Sequence, residues 1–223
     1  MNKNNVLYQV SSHWDREWYM QFQGFRFYLE KMISKLLDDL DSGKIPYFNL
    51  DGQTIVLEDY LEICPHNRER MEKHIKEGRL TIGPRDVMPD ELLVSGERLI
   101  HNLLTGEAVA KEFNTTTHKF GYVNDVFGHI AQMPQIFKGF DINYSLLGRG
   151  TSDDMPMYFK WQSPDGSSVT NFKLNNMHGY GMFKADCYAG KADESINNPD
   201  IIAGIKAGVD REIARMKETN NVP

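Results

Sequence analysis

An imidazole and a carboxylate stand two residues apart near the start of the chain, directly after a short apolar run at residues 6–10. They belong to His13 and Asp15. If the chain stays extended past residue 10, side chains two positions apart point the same way. Nitrogen and oxygen ligands together suit a borderline metal such as Zn²⁺. Because two ligands do not hold a metal ion, the spacing predicts a partial site that other segments must complete.

Polar side chains also follow each of the other apolar runs. These candidates are Asp51, Asp86, Asp90, Glu91, Asp125, His129 and Arg149. Three of them have an ordinary alternative: Asp51 precedes a glycine and suits a turn, Asp125 is compatible with a helix cap, and Arg149 with a solvated loop. No single feature decides the function, but their common position after the runs is typical of an active site.

The elements that must position these residues alternate between apolar strands and amphipathic helices. This alternation predicts βαβ units around a parallel sheet, in which ligands bind at the carboxyl ends of the strands. A barrel and an open doubly wound sheet both fit the pattern. The predicted strands are 6–10, 45–50, 79–83, 118–123 and 142–148; the predicted helices are 25–40, 54–63, 65–78, a long one after Ser95, and one from 199 almost to the end. A β-hairpin is predicted at 158–174 around the Pro-Asp-Gly turn.

Composition narrows the class of protein. The chain has 223 residues, 40% of them hydrophobic, which is enough for a packed core. The formal net charge of −6, without a basic cluster, argues against a nucleic-acid partner. No apolar run reaches the roughly 18 residues of a membrane span. Two cysteines are too few for a disulfide framework, and the N-terminus has no signal-peptide pattern. A cytoplasmic protein that contacts no membrane is therefore expected.

Five long motifs carry a family resemblance. They are "SHWDREWY", "LDGQTIVLEDYLE", "GRLTIGP", "DELLVSGERLIHNLLTGE" and "GYVNDVFGHIAQMPQI". In this order they resemble the α-mannosidases of glycoside hydrolase family 38, above all the intracellular bacterial members, over about residues 6–174. The resemblance implies an α/β fold of the (β/α)7-barrel type. We expect residues 1–223 to be an incomplete N-terminal portion of that catalytic domain, continuing beyond residue 223.

The resemblance also implies an activity and a cofactor. Family members hydrolyse terminal α-linked mannose with retention of configuration, so a mannose-containing glycan or a small mannoside is the expected substrate. The family's nucleophile maps onto Asp125. Its metal ligands map onto His13, Asp15 and the same Asp125, and they imply one divalent ion, for which zinc is expected.

Four further residues are expected to contact the substrate. Arg149, Tyr180 and Asp90 resemble sugar-site residues of the family, and the ring of Trp14 suits an apolar floor under a sugar. Relatives commonly carry Trp-Tyr after the "GP" of the third strand, where this chain has an Arg-Asp pair at 85–86. That departure leaves the substrate preference open.

A retaining glycosidase needs a second carboxyl group about 5 Å from the nucleophile. The resemblance places this general acid, and a last metal-binding histidine, beyond Pro223. We therefore expect negligible activity from these residues in isolation, and we expect exposed strand edges to favour a homodimer.

Two other functions stay open at this stage. Metal-dependent carbohydrate deacetylases also use an α/β barrel, although the His-x-x-x-His pair that they usually need is not found in this sequence. A non-catalytic mannose-binding module derived from a glycosidase is the second alternative.

Overall fold

The structure is a computed structural model that describes residues 9–152, 154–174, 179–181 and 199–220. The chain divides into two compact units, and each is described by itself. The first unit comprises Met1–Met88 and Gly96–His118, and the second comprises Pro89–Ser95 and Lys119–Pro223.

Among its described residues, the first unit contains four α-helices, one 3-10 helix at Pro65–Asn67 and two short strands. The α-helices and strands are α1 (Phe22–Asp41), β1 (Phe48–Asn49), α2 (Ile55–Leu61), α3 (Arg68–Lys76), β2 (Leu80–Thr81) and α4 (Gly96–Glu112). The predicted helix at 25–40 is confirmed, because its apolar side chains recur at three- and four-residue spacing and form one buried face. Leu29, Ile33 and Leu37 of this face are at most 1% exposed and lie in the main hydrophobic cluster.

Three segments run side by side and parallel in this unit. Phe48 of β1 pairs with Leu80 of β2, and Ser11 forms an isolated parallel bridge with Asn49. Of the predicted first strand at 6–10, residues 9 and 10 form no strand, and the bridge is made by the next residue along the chain; positions 6–8 lie outside the described residues. The parallel arrangement brings the residues that follow Ser11 and Asn49 to one end of the segments, so His13 and Asp51 can meet there.

The second unit is built on a four-stranded sheet. Its elements are β3 (Phe120–Val123), α5 (Met133–Gly139), β4 (Tyr144–Leu147), β5 (Tyr158–Gln162), β6 (Ser168–Lys173) and α6 (Pro199–Asn220). The strand order is β3-β4-β6-β5, with β3, β4 and β6 parallel and β5 antiparallel to β6. The predicted hairpin is confirmed, and its second strand, β6, joins β4. Helix α5 was not predicted.

The mixed α/β class is confirmed, but a (β/α)7 barrel is not shown. The described residues form two separate sheets, of two and four strands, and no closed sheet is seen among them. A barrel closes only when its first and last strands pair. In the four-stranded sheet β3 and β5 remain at the two edges, and β5 runs antiparallel to its neighbour. Among the helices of the described residues, none has the length and apolar character of a membrane span.

Candidate active site

The first unit holds the imidazole of His13 in one orientation. Its Nδ1 lies 2.8 Å from Oδ2 of Asp51, the residue that follows β1 after Leu50. The same oxygen accepts hydrogen bonds from the Trp14 amide at 3.2 Å and from Nε2 of Gln53 at 3.3 Å. A carboxylate accepts hydrogen bonds, so Nδ1 of His13 carries the proton. The other ring nitrogen, Nε2, faces Asp15, with 3.6 Å to Oδ1.

Asp51 owes its position to a strained turn and to burial. Its backbone adopts φ 54°, which is uncommon for a non-glycine residue, and Gly52 follows at φ 70°. The residue is 0% exposed. Burial raises the pKa of the Asp51 carboxyl, and the hydrogen bond from His13 offsets part of that rise. The Asp-Gly pair thus forms the turn that the sequence suggested, and its Asp51 carboxylate also accepts the hydrogen bond that orients His13.

A second ion pair anchors the segment that carries Asp15. Its neighbour Arg16 makes a two-bond fork with Asp59 of α2, at 2.7 Å from Nε and 2.9 Å from Nη2. Bidentate pairs of this kind fix both distance and orientation. The guanidinium also lies 4.7 Å from the centre of the Phe22 ring at the start of α1. The loop between residue 12 and α1 is therefore held from two sides.

The His13 and Asp15 pair fits part of a site for a metal of intermediate softness. A histidine that donates Nδ1–H to a buried carboxylate presents Nε2 as a ligand, which is the usual outer-shell arrangement around protein-bound zinc. Asp15 supplies oxygen on the same side. Within the part of the chain that the structure describes, no three His, Cys, Asp or Glu side chains converge as a complete metal-binding group.

The two tryptophans of the first motif have different surroundings. Trp14 packs edge-on against Phe25 of α1, with 6.0 Å between ring centres, and contacts the hydrophobic cluster. Trp18 is 78% exposed and lies against Tyr19. Trp14 was expected to contact a sugar, but its ring already packs against the protein core.

The second unit gathers three of the expected site residues. Asp125 follows β3 after the buried Asn124, and its carboxylate forms an ion pair with Arg149, which follows β4. The Tyr180 hydroxyl donates a hydrogen bond of 3.0 Å to Oδ2 of Asp125. The strand ends of a parallel pair, β3 and β4, place the acid and the guanidinium side by side, as expected from their positions in the sequence.

The three groups also set each other's protonation. Burial, and then the hydrogen bond to Asp125, raises the pKa of Tyr180 to about 12, against the opposing effect of Arg149. Burial by itself would lower the pKa of Arg149, but Asp125 and Tyr180 outweigh it and the pKa is raised. At neutral pH the phenol therefore remains a hydrogen-bond donor and the guanidinium remains charged.

Asp90 and Glu91 lie in the turn that opens the second unit. Oδ1 of Asp90 accepts the Leu92 amide at 3.1 Å, so its contact is local. Glu91 is 1% exposed, and its Oε2 accepts the Ile130 amide at 3.0 Å. Glu91 and His129 were both expected near the strand ends, but sequence reasoning assigned neither of them a role.

The Arg-Asp departure at 85–86 is mostly internal to the first unit. Arg85 is 1% exposed. Asp86 is half-buried and accepts a hydrogen bond from the Thr54 hydroxyl at 3.2 Å. Burial raises the pKa of Asp86, with the charge of Arg16 acting in the opposite direction.

Comparison with known proteins settles the family. Residues 4–204 match the N-terminal domain of the glycosyl hydrolases family 38. The chain belongs to this family. The match confirms the resemblance that the five motifs carried. It also identifies the chain as an N-terminal part of the catalytic domain.

Three relatives show the range of similarity. A protein of Halalkalibacterium halodurans, whose name proposes that it is a mannosylglycerate hydrolase, is 38% identical over 184 residues, covering 76% of this chain and 20% of that protein. Alpha-mannosidase G of Dictyostelium discoideum is 30% identical over 153 residues, covering 63% and 13%. The crystal structure of an alpha-mannosidase from Enterococcus faecalis V583 matches with TM-score 0.77 and 26% identity, covering 95% of this chain and 23% of that one. The chain thus spans about a fifth or less of the curated relatives' lengths.

Proposed function

We propose that the whole protein to which this chain contributes hydrolyses terminal α-linked mannose with retention of configuration. Membership of the family supports glycosidase activity. The mannose specificity is supported by the names of the relatives, two of which are called alpha-mannosidases. The proposal also includes a retaining mechanism and one bound metal ion.

The observation that carries the proposal is the setting of Asp125. One oxygen receives the Tyr180 hydroxyl, and the other faces the Arg149 guanidinium. Two partners of this kind orient a carboxylate and compensate its charge, as a nucleophile requires. In the proposed reaction an Asp125 oxygen forms an ester bond with the anomeric carbon. The bond to the leaving oxygen breaks, and that oxygen takes a proton from a general acid. Water then cleaves the ester and releases mannose.

His13 and Asp15, with Asp125, are the proposed ligands of one divalent ion, for which we propose zinc. Bound there, the ion would act as a Lewis acid on sugar hydroxyls. The orientation of His13 by buried Asp51 supports this assignment. The general acid and a further histidine ligand are proposed to lie beyond Pro223, so the isolated chain is proposed to be inactive.

Arg149 and Tyr180 are the substrate-contact residues that geometry supports best, because both lie on the proposed nucleophile. Asp90 and Trp14 are also proposed to contact the sugar, and the structure gives each a partner within the chain, Leu92 and Phe25 respectively. The substrate class is a mannose-containing glycan or a small mannoside. The name of the Halalkalibacterium halodurans relative makes mannosylglycerate a specific candidate. We further propose a cytoplasmic location and a homodimer.

The test uses the protein from its natural gene. Release of aryl alcohol from an aryl α-mannoside, and of mannose from mannosylglycerate, should fall by about a thousandfold or more in Asp125→Asn. Asp210→Asn is the matched control, because Asp210 is an exposed carboxylate of α6 paired with Lys206. NMR of the first product should show the α-anomer.

Four outcomes would contradict the proposal. Unchanged activity of Asp125→Asn would refute the assignment of Asp125 as the nucleophile. A β-anomer as first product would remove the retaining mechanism. Release of acetate from N-acetylated sugars without any release of mannose would favour a deacetylase, and mannose binding without turnover would favour a binding module.

A further inference from the structure

The main chain of Arg149 lies between two glycines and needs an external restraint. Gly150 has φ +74°, and glycine backbones are the most mobile in the unfolded and loop states. On the other side, the Gly148 amide donates to the Val123 carbonyl at 2.9 Å. A Cβ at Gly148 would lie 2.0 Å from the Asn124 carbonyl oxygen, so this glycine is packed directly on the segment that leads from β3 to Asp125. The restraint on the other side of Arg149 comes from His129.

His129 bonds the carbonyl of Arg149. Its Nε2 lies 2.8 Å from that oxygen, and since a carbonyl only accepts, Nε2 must donate. A Cβ added to Gly150 would come within 2.8 Å of the same nitrogen, which shows how closely the ring approaches this segment. The ring is also held edge-on to Trp161 of β5, with 5.5 Å between centres.

The opposite edge of the His129 ring faces a buried carboxylate. Nδ1 lies 3.7 Å from Oε1 of Glu91, whose other oxygen accepts the amide of Ile130. Glu91 therefore contacts two consecutive residues from a single 1%-exposed side chain. A buried carboxylate carries a large desolvation cost unless its partners compensate it. Because burying the Glu91 carboxylate costs free energy, we expect Glu91 to have a function other than packing.

We propose that Glu91 and His129 are positioning residues for the proposed glycosidase reaction. Glu91 fixes the main chain beside His129 by accepting the Ile130 amide, His129 donates to the Arg149 carbonyl, and the Arg149 guanidinium is thereby set against Asp125. Neither Glu91 nor His129 needs to touch the substrate. This inference rests on the proposed role of Asp125. It adds two residues that determine the position of Arg149, the ion-pair partner of Asp125.

The test separates the hydrogen bond from ring packing. His129→Phe keeps a ring against Trp161 but cannot donate to the Arg149 carbonyl, whereas His129→Gln retains a donor. For the natural full-length protein we expect His129→Phe to lower kcat on an aryl α-mannoside by about 10- to 100-fold, because small misplacements at a reacting centre have effects of that size. KM should change by no more than about threefold. His129→Gln should recover part of the loss.

Two further variants show whether the effect passes through Arg149. Glu91→Leu removes the carboxylate beside His129 and Ile130 and should resemble His129→Phe. In an Arg149→Ala background, His129→Phe should have little additional effect, because residues that act through one another are not additive. His101→Phe is the matched control: His101 makes a 3.0 Å contact with Glu97 on the surface of α4, and its loss should leave activity unchanged.

Hydrogen exchange supplies a readout that does not depend on activity. Amides of residues 148–150 should exchange faster in His129→Phe and Glu91→Leu than in the wild type, and not in His101→Phe. If Asp125→Asn abolishes activity while His129→Phe does not reduce it, the positioning role is overturned and the proposed function stands. If the wild type hydrolyses no mannoside, the proposed function fails, and unchanged exchange at 148–150 would overturn the restraint as well.

Discussion

Replacing Asp51 by Asn should weaken metal binding without unfolding the protein. Three donors converge on Oδ2 of Asp51: Nδ1 of His13, the Trp14 amide and Nε2 of Gln53. The amide oxygen of Asn can take the same position. The substitution removes the negative charge and so weakens the hydrogen bond from Nδ1 of His13. The ring of His13, whose Nε2 is the proposed metal ligand, is then less firmly oriented.

The magnitude follows from the type of hydrogen bond. A bond to a charged acceptor contributes about 1.5–3 kcal/mol, and a bond between neutral groups about 0.5–1.5 kcal/mol. The His13 contact should therefore lose about 1–1.5 kcal/mol, or roughly tenfold in affinity at 1.4 kcal/mol per decade. Outer-shell partners of metal-binding histidines typically have effects of about 10- to 100-fold.

The effect on folding should be small because two terms oppose each other. Burial raises the pKa of Asp51, so folding disfavours its ionised form, and that form costs stability at neutral pH. Asn removes this cost while it weakens the hydrogen bonds. We expect the free energy of unfolding to change by less than about 1 kcal/mol.

The assay is competition for Zn²⁺ between the metal-free protein and a chromophoric chelator at neutral pH. Asp51→Asn should bind Zn²⁺ at least about tenfold more weakly. Asp39→Asn, which removes a carboxylate of α1 paired with the exposed Lys35, should bind normally. A folded Asp51→Asn protein with unchanged zinc affinity would refute the role of Asp51, and binding equal to wild type in His13→Asn would refute the ligand assignment itself.

Three other changes have expected outcomes. Tyr180→Phe removes the donor to Asp125 and should lower kcat on aryl α-mannosides about tenfold or more; an unchanged kcat would show that this hydrogen bond does not matter. Leu37→Ala empties a 0%-exposed site in α1 and should cost about 2–5 kcal/mol in urea unfolding, and a loss below 1 kcal/mol would mean that the core collapses around it. Burial lowers the pKa of His118 to about 4, so the folded state favours the neutral imidazole. Acidification from pH 6.5 towards 4 should therefore destabilise the wild type by up to about 3 kcal/mol more than His118→Gln, and equal pH slopes would contradict this.

Local patterns predicted the long helices and the hairpin well. Helix α1 follows from apolar spacing, and the Pro-Asp-Gly turn does connect β5 and β6, with the Ser163 amide bonded to the Ser167 carbonyl at 2.8 Å. Helix α5 was missed because it has only seven residues and lacks a long apolar stripe. Strands β1 and β2 are two residues each, shorter than their apolar runs, because pairing depends on a partner and not on the run itself.

The candidate site was predictable in its residues but not in its contacts. The strand-end rule selected His13, Asp125 and Arg149 before any geometry was known. It could not show that Asp51 orients His13, because the two are 38 residues apart and the Asp-Gly pair has a sufficient local explanation as a turn. The same holds for Glu91, whose partner Ile130 is 39 residues away. Such pairings are set by tertiary packing, which periodicity does not record.

Covalent trapping of the nucleophile would show whether Asp125 attacks the sugar. The natural full-length protein would be incubated with an activated fluorinated mannosyl fluoride, whose sugar–enzyme ester breaks down slowly, and then digested and sequenced by mass spectrometry. We expect a glycosylated peptide with the sugar on Asp125, and no labelling in Asp125→Asn. A label on another residue, or turnover of mannosides without any covalent intermediate, would contradict it.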